Sequence, residues 1–344
     1  MRRREMMTGA LGLGAGLIAA SPATPAAAAD PAAALERALF DGPSAAPAPL
    51  PRLAAALGAA RADYEATRYQ ALAAALPGLI ATAEATRDAA AGRAREQAHT
   101  LLARAYVLAT ELGVKQRSEA TWVAADRALS AARAGGDPQP IGEAARVLAI
   151  TMRRAGRTQA AVSLLSRTAA SLDADRGTPS PQALAARACL LMTGAYTAAA
   201  ARQRTTALDL LAEAEETTRR IPQHAARTGL FVINASLDEC AMYRISTFTA
   251  LGTPDDALPY AARIVPARLP TTERQARYLT DTARMWNHIG DPARTYAALR
   301  ALERLAPEEA RRPSLRLVTT DLLYSPHHLP GLRDFATRTG ALPG

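Results

Sequence analysis

Lysine is almost missing from this sequence: of 41 basic residues only Lys115 is a lysine, and the rest are arginine. Aromatic residues make up 4% of the chain, and there are two cysteines, Cys189 and Cys240. Two cysteines exclude a disulfide framework and the paired-cysteine spacings of zinc sites. Both fall at similar offsets in neighbouring helical units and read as small core or groove residues. A bridge between them requires Cα atoms within about 7 Å. Runs in which Val, Ile, Thr and Tyr alternate with polar residues are absent, which excludes a sheet framework. No G-x-S-x-G, phosphate-binding loop or dinucleotide-binding glycine pattern occurs. No catalytic residue, cofactor or metal is therefore expected, and the chain reads as non-enzymatic.

What is present is alanine. Hydrophobic residues are 49% of the 344, and alanine supplies much of that share. Alanine has the highest helix propensity, and its small side chain lets helix axes approach closely. An all-α fold follows. The formal charge is +9. The preference for arginine over lysine reads as GC-rich codon usage. The arginines are spread over many helices and are not interleaved with stacking aromatics. Direct nucleic-acid binding is thus not expected without a separate DNA-binding domain.

Residues 1–29 look like an export signal. Arg2, Arg3 and Arg4 make a basic start, and Arg3-Arg4-Glu5-Met6-Met7 resembles the twin-arginine export motif. The apolar run at 9–20 is shorter than the ~20 residues that span a bilayer, so no transmembrane span is expected. Ala27-Ala28-Ala29 offers a cleavage site before Asp30. Residues 30–51 read as a short helix, 31–40, followed by a linker rich in Pro and Ala. Residues 52–344 form the repeat domain.

Helical stretches are expected at 50–67, 69–90, 95–112, 117–134, 141–155, 158–172, 182–201, 205–221, 237–251, 255–264, 273–289 and 293–305. Segments at 314–324 and 330–339 close the chain. Turns are placed at Gly113, Gly156, Arg202, Gly252 and Gly290. Around them small and large residues recur at matching offsets. One unit has Ala149, Met152, Gly156, Ala161 and Leu165. Another has Ala283, Trp286, Gly290 and Leu299, with Thr295 where alanine is usual. A third has Ala195, Ala198, Ala207 and Leu211, with Arg202 in place of glycine. This is the tetratricopeptide (TPR) pattern, in which small residues let two helices close and a large one plugs the gap to the next unit. The turn spacings all exceed the ~34 residues of a regular repeat. The expected fold is a tetratricopeptide-like right-handed superhelix of about six antiparallel helix pairs.

The body from about residue 50 to 342 resembles the TPR region of actinobacterial XRE-type helix-turn-helix transcriptional regulators. The matching stretches are WVAADRALSAAR at 122–133, RRAGRTQAAVSLLSRTAA at 153–170 and DLLYSPHHLPGLRDFATRTGA at 321–341. In that group a DNA-binding domain precedes the repeats. Here the signal-like segment and the linker stand in that place. The resemblance implies a module that senses or scaffolds: it binds a peptide, protein or small ligand and acts in the cytoplasm through a partner. The alternative is a twin-arginine-exported TPR scaffold acting outside the cytoplasm.

In TPR proteins the ligand lies on the concave face, against the first helix of each pair. In register with the turns, this face takes Glu143, Arg146, Ile150, Arg153 and Arg154, then Met192, Tyr196 and Ala199. It continues with Glu239, Met242 and Ser246, and then Arg277, Thr280, Arg284 and Asn287. The binding set is Arg146, Arg153, Met192, Tyr196, Met242, Arg277, Arg284 and Asn287. Clustered arginines suit an acidic protein or peptide partner, because guanidinium pairs bidentately with carboxylate. Met192, Tyr196 and Met242 would add an adaptable apolar floor. Other candidates are weaker. His327 and His328 are adjacent and would point apart on a helix, and His99, His224 and His288 are isolated. Asp255 and Asp256 read as helix N-terminal charge. Asp209, Glu213, Glu215 and Glu216 read as a solvated helix face.

Overall fold

Sixteen helices and no strand are found among the described residues of the computed structural model, which are 31–173, 179–222, 231 and 235–342. The signal-like residues 1–29 and His224 lie outside them. The helices are α1 (Pro31–Phe40), α2 (Leu50–Glu65), α3 (Tyr69–Ala89), α4 (Gly92–Gln116), α5 (Thr121–Gly135) and α6 (Pro138–Arg154). They continue with α7 (Thr158–Asp173), α8 (Pro181–Ala200), α9 (Arg204–Arg219), α10 (Leu237–Leu251) and α11 (Leu258–Arg263). The last are α12 (Thr272–Ile289), α13 (Pro292–Leu305), α14 (Pro307–Ala310), α15 (Pro313–Leu323) and α16 (Leu332–Thr339). The stretch expected at 255–264 is split into a 3-10 turn, Pro254–Ala257, and α11. Helix α3 runs unbroken through Pro77.

Local chemistry sets the helix ends. Asp137, Ser180, Ser236, Thr271 and Asp291 each accept a hydrogen bond from a backbone N–H in the first turn that follows. Pro138, Pro181 and Pro292 follow three of these caps, at the position where a missing N–H costs nothing. At the other ends Gly156, Arg202, Gly252 and Gly290 take left-handed conformations, at the four turns expected there. The fifth expected turn is displaced. Gly113 lies inside α4, and Arg117 is the left-handed residue instead, with φ 59°. Gly113 answers a different need. A Cβ there would sit 2.5 Å from Thr121 Oγ1 and 2.7 Å from Leu35 Cδ2, so its absence lets α5 and α1 close on α4.

Packing follows two rules. From α2 to α11 each helix packs on the next in sequence, as in α4 with α5 and α8 with α9, whereas α1 packs on α3 and α4, and the even-numbered helices from α2 to α12 also pack on one another. Thus α2 touches α4, α4 touches α6, and the series runs through α8 and α10 to α12. Helix α12 then touches α2. The inner layer is therefore a closed ring of six helices, backed on the outside by the intervening ones. A one-dimensional solenoid would leave its first and last units apart. Here they meet: Tyr69 Oη donates to Glu309 at 2.6 Å, and Gln70 N donates to Glu308 at 2.9 Å.

Alanine does the close packing, with Ala105, Ala124, Ala145, Ala188 and Ala198 all fully buried. The largest buried cluster extends from α1 to Cys240 of α10, and smaller ones continue from α10 to α16. Helix α1 belongs to this core and is not part of a tether. Leu35 is fully buried, and Arg127 Nη1 donates to the Leu39 carbonyl at 2.9 Å. Helix α8 is long and apolar enough to cross a membrane, but 78% of its most apolar window is buried inside the fold. That is what a central helix of the ring requires.

Candidate functional site

The middle of the ring is filled by charge. Lys115, near the end of α4, reaches Glu273 of α12 at 2.7 Å and Glu309 of α14 at 3.1 Å. Its ammonium also lies 5.2 Å from the Tyr64 ring centre and 5.1 Å from that of Tyr69. Arg274 pairs with Glu239 at 2.7 Å and also with Glu273. Arg312 pairs with Glu309, and Arg146 pairs with Glu111 at 2.5 Å. Tyr64 Oη donates to Glu111 at 3.2 Å. Four buried carboxylates meet four buried cations, so this layer is balanced. Burial opposes ionisation of Glu309, but Arg312 and Lys115 outweigh it and bring its pKa down to about 2. Glu273 is likewise held below the usual carboxylate range, by Arg274 and Lys115 against burial.

Directly on this layer stands a cavity of about 780 Å³. Its walls are the carboxyl-terminal parts of α4, α6, α8 and α10, the middle of α12, and the start of α15. Here the charges do not balance. Six arginines line it, Arg117, Arg153, Arg154, Arg277, Arg284 and Arg312, against two carboxylates, Glu119 and Asp281. Arg312 is matched from below by Glu309. Arg277 Nε donates to Asp281 at 2.7 Å, and Arg284 reaches the same carboxylate only at 4.0 Å. Among the described residues Arg117, Arg153 and Arg154 form no ion pair.

The neutral contacts of these arginines are weak substitutes for a counter-charge. Arg153 donates to Thr197 Oγ1 at 3.3 Å and lies 4.5 Å over the Tyr196 ring centre. Arg284 donates to Ser314 Oγ at 3.0 Å, and Arg154 donates to the Val114 carbonyl. Helix carboxyl ends attract cations, which explains part of this gathering, but that field fades within the last turn and is screened by solvent. The imbalance shows in the ionisation behaviour. Burial pushes Arg153 and Arg284 below the usual arginine range. Burial acts on Arg277 too, but Asp281 more than offsets it and raises that group. One further sign is Arg312 Nε, which is buried without a hydrogen-bond partner.

The residues read from the sequence as a binding face are thus partly assembled. Arg153, Tyr196, Arg277 and Arg284 line the cavity together, with Arg154 and Ser246. Arg146 does not reach it: it lies a layer deeper, against Glu111, and lines a small adjoining pocket. The apolar floor is not formed. Met192 and Met242 are buried in core clusters, because their register turns them sideways into neighbouring helices. Asn287 lies further round α12, where Nδ2 donates to Asp321 at 3.1 Å. Glu143 and Glu239 are buried partners of Arg104 and Arg274, and Thr280 is fully buried.

Sequence reasoning missed Lys115, Asp281, Arg117 and Arg312. Asp281 was within reach, since it lies one helical turn from both Arg277 and Arg284 on α12. A single lysine in so arginine-rich a chain was also a signal. The ammonium is a compact charge with three donors, which two carboxylates and two aromatic faces can surround. Arg117 and Arg312 come from turns, where helical periodicity carries no information.

Cys189 and Cys240 are free and buried, and burial pushes the Cys240 thiol up to about 11 and Cys189 higher still. Glu215 is not a solvated charge: it pairs with Arg244 at 2.5 Å, both side chains being largely covered. Asp256 pairs with Arg204 at 3.2 Å on the surface. Among the described residues no cluster of His, Cys, Asp and Glu could hold a metal ion. No protein-family model, no curated protein and no solved structure matches this chain.

Proposed function

We propose that this chain is a non-enzymatic ligand-binding module, built from TPR-like helix pairs wound right-handedly until the inner layer closes. In this reading it is related to the sensor half of helix-turn-helix regulators. It binds an acidic ligand in the central cavity and passes that event to a protein partner. One observation carries the reading: Arg153, Arg277 and Arg284, from two helices far apart in sequence, converge on one cavity with more cations than counter-charges. Three guanidinium groups that have only the Asp281 carboxylate among them in a half-buried site gain most from an anion that brings its own charge. The charged layer below gives them a rigid base.

The test is affinity for a panel of acidic compounds, namely tetraglutamate, citrate and tripolyphosphate. At least one should bind saturably, and the double variant Arg153→Glu, Arg284→Glu should lose it. If none binds, or if the double variant binds as well as the wild type, the reading fails. A second reading, export as a scaffold, draws on the twin-arginine pattern in residues 1–29 and leaves the cavity chemistry unchanged. Intact mass of the native protein in separated cell fractions decides it. A species beginning at Asp30 outside the cytoplasm supports export, and an uncleaved cytoplasmic species supports the sensor.

A further inference from the structure

The lining of the cavity restricts which anion it suits. An extended acidic peptide meets arginine clusters with its acidic groups, but it draws much of its affinity from main-chain hydrogen bonds to a sheet edge or from apolar pockets for its other side chains. This cavity has neither. Its walls are helices, whose interior N–H groups are already bonded within the helix. The two methionines that would have made an apolar floor are buried elsewhere. What remains is a short-range cluster of guanidinium groups with Ser246, Thr249 and Ser314 beside them. The groove is also not open-ended, because α12 meets α2 and Tyr69 binds Glu309 across the seam. A volume of about 780 Å³ is that of a small-molecule site.

Resting on the reading of this cavity as the ligand site, we propose that its ligand is a small molecule carrying two or more linked phosphate groups. Linked phosphates concentrate several charges and many acceptor oxygens within a few ångströms. One carboxylate per residue, spread along a peptide, cannot match three arginines that share one cavity. Arg153 and Arg284 supply forks of donors from opposite walls. Arg277, already oriented by Asp281, supplies a third. Arg154 and Arg117 stand at the rim, both exposed, where they would draw a polyanion inward.

Titration calorimetry on the full chain at physiological ionic strength tests this, with tripolyphosphate, ADP and tetraglutamate as probes. Tripolyphosphate or ADP should bind at one site per chain, at least about tenfold more tightly than tetraglutamate. Preference for ADP would assign the phosphates to an organic carrier, and preference for tripolyphosphate to a bare phosphate chain. Arg153→Gln and Arg284→Gln should each weaken binding at least about tenfold, with an unchanged melting temperature showing that the fold is intact. Arg294→Glu, on the outer helix α13 with a side chain 63% exposed, should bind as the wild type does. Tighter binding of tetraglutamate would overturn this inference and leave the functional reading standing. Binding of none of the three would overturn this inference, and failure of citrate as well would overturn the functional reading.

Discussion

Lys115 ties together helices far apart in the sequence. Its ammonium joins α4 to α12 and α14 inside the ring, at 2.7 and 3.1 Å from two carboxylates. Removing one partner from a buried ion cluster leaves its counter-charges stranded, and the usual cost is about 3–5 kcal/mol. Lys115→Ala should lose about that much stability in chemical denaturation, far more than Arg294→Ala on the surface. The same cluster sets a pH dependence. Glu273 and Glu309 are held below their free value of 4.5 when folded. Their contribution is therefore complete above that value and is lost as pH falls through the folded values, about 2 for Glu309 and lower for Glu273. Tyr64 and Tyr69 are shifted the other way: burial raises them well above 10.0. Their contribution is complete below pH 10.0 and is lost as pH rises beyond it. Melting temperature measured across pH should fall at both ends, and Lys115→Ala should flatten the acid limb.

At the scale of elements, much was legible in the sequence. Helix α10 begins and ends where periodicity places it, while the caps Asp137-Pro138 and Ser180-Pro181 start α6 and α8 ahead of the expected 141 and 182, because a cap precedes the first apolar residue that periodicity registers. Gly252 and Gly290 mark real turns because the chemistry of a turn is local. Gly113 misled because glycine serves two ends, left-handed backbone and close approach, and a sequence does not say which. The structure separates them. Gly113→Ala, in a right-handed helix, drives a methyl into Thr121 and Leu35 and should cost about 1–3 kcal/mol by overpacking. Gly290→Ala would meet nothing within 4 Å, so it acts through its φ of +84° alone and should cost about 1–2 kcal/mol. Thermal melts of the two with a Thr121→Ala background tell the mechanisms apart. That background should relieve the first and leave the second unchanged. The methionines at 192 and 242 illustrate a second limit. Register gives a helix face to within a residue or so, and that error turns a groove residue into a core one.

The whole molecule turns on closure, which no local pattern encodes. Contacts between Tyr69 and Glu309 span 240 residues, and only the complete winding of the inner helices brings them together. Closure converts an open groove into a cavity with a charged base, and its two sides come from α6 and from α12. A ligand that bridges these sides must stabilise the ring against opening. At a ligand concentration of 100 Kd, linkage predicts about 2.7 kcal/mol of added stability. Hydrogen exchange should accordingly slow at the seam between α2 and α12, and not only beside the ligand. Uniform protection, or none at the seam, would mean that the site and the closure are independent.

The most direct test is a crystal structure of the full chain grown with tripolyphosphate. The anion should lie inside the ring, with guanidinium nitrogens of Arg153, Arg277 and Arg284 at hydrogen-bonding distance. An anion bound only on the outer helices, with the central cavity unchanged, would contradict this.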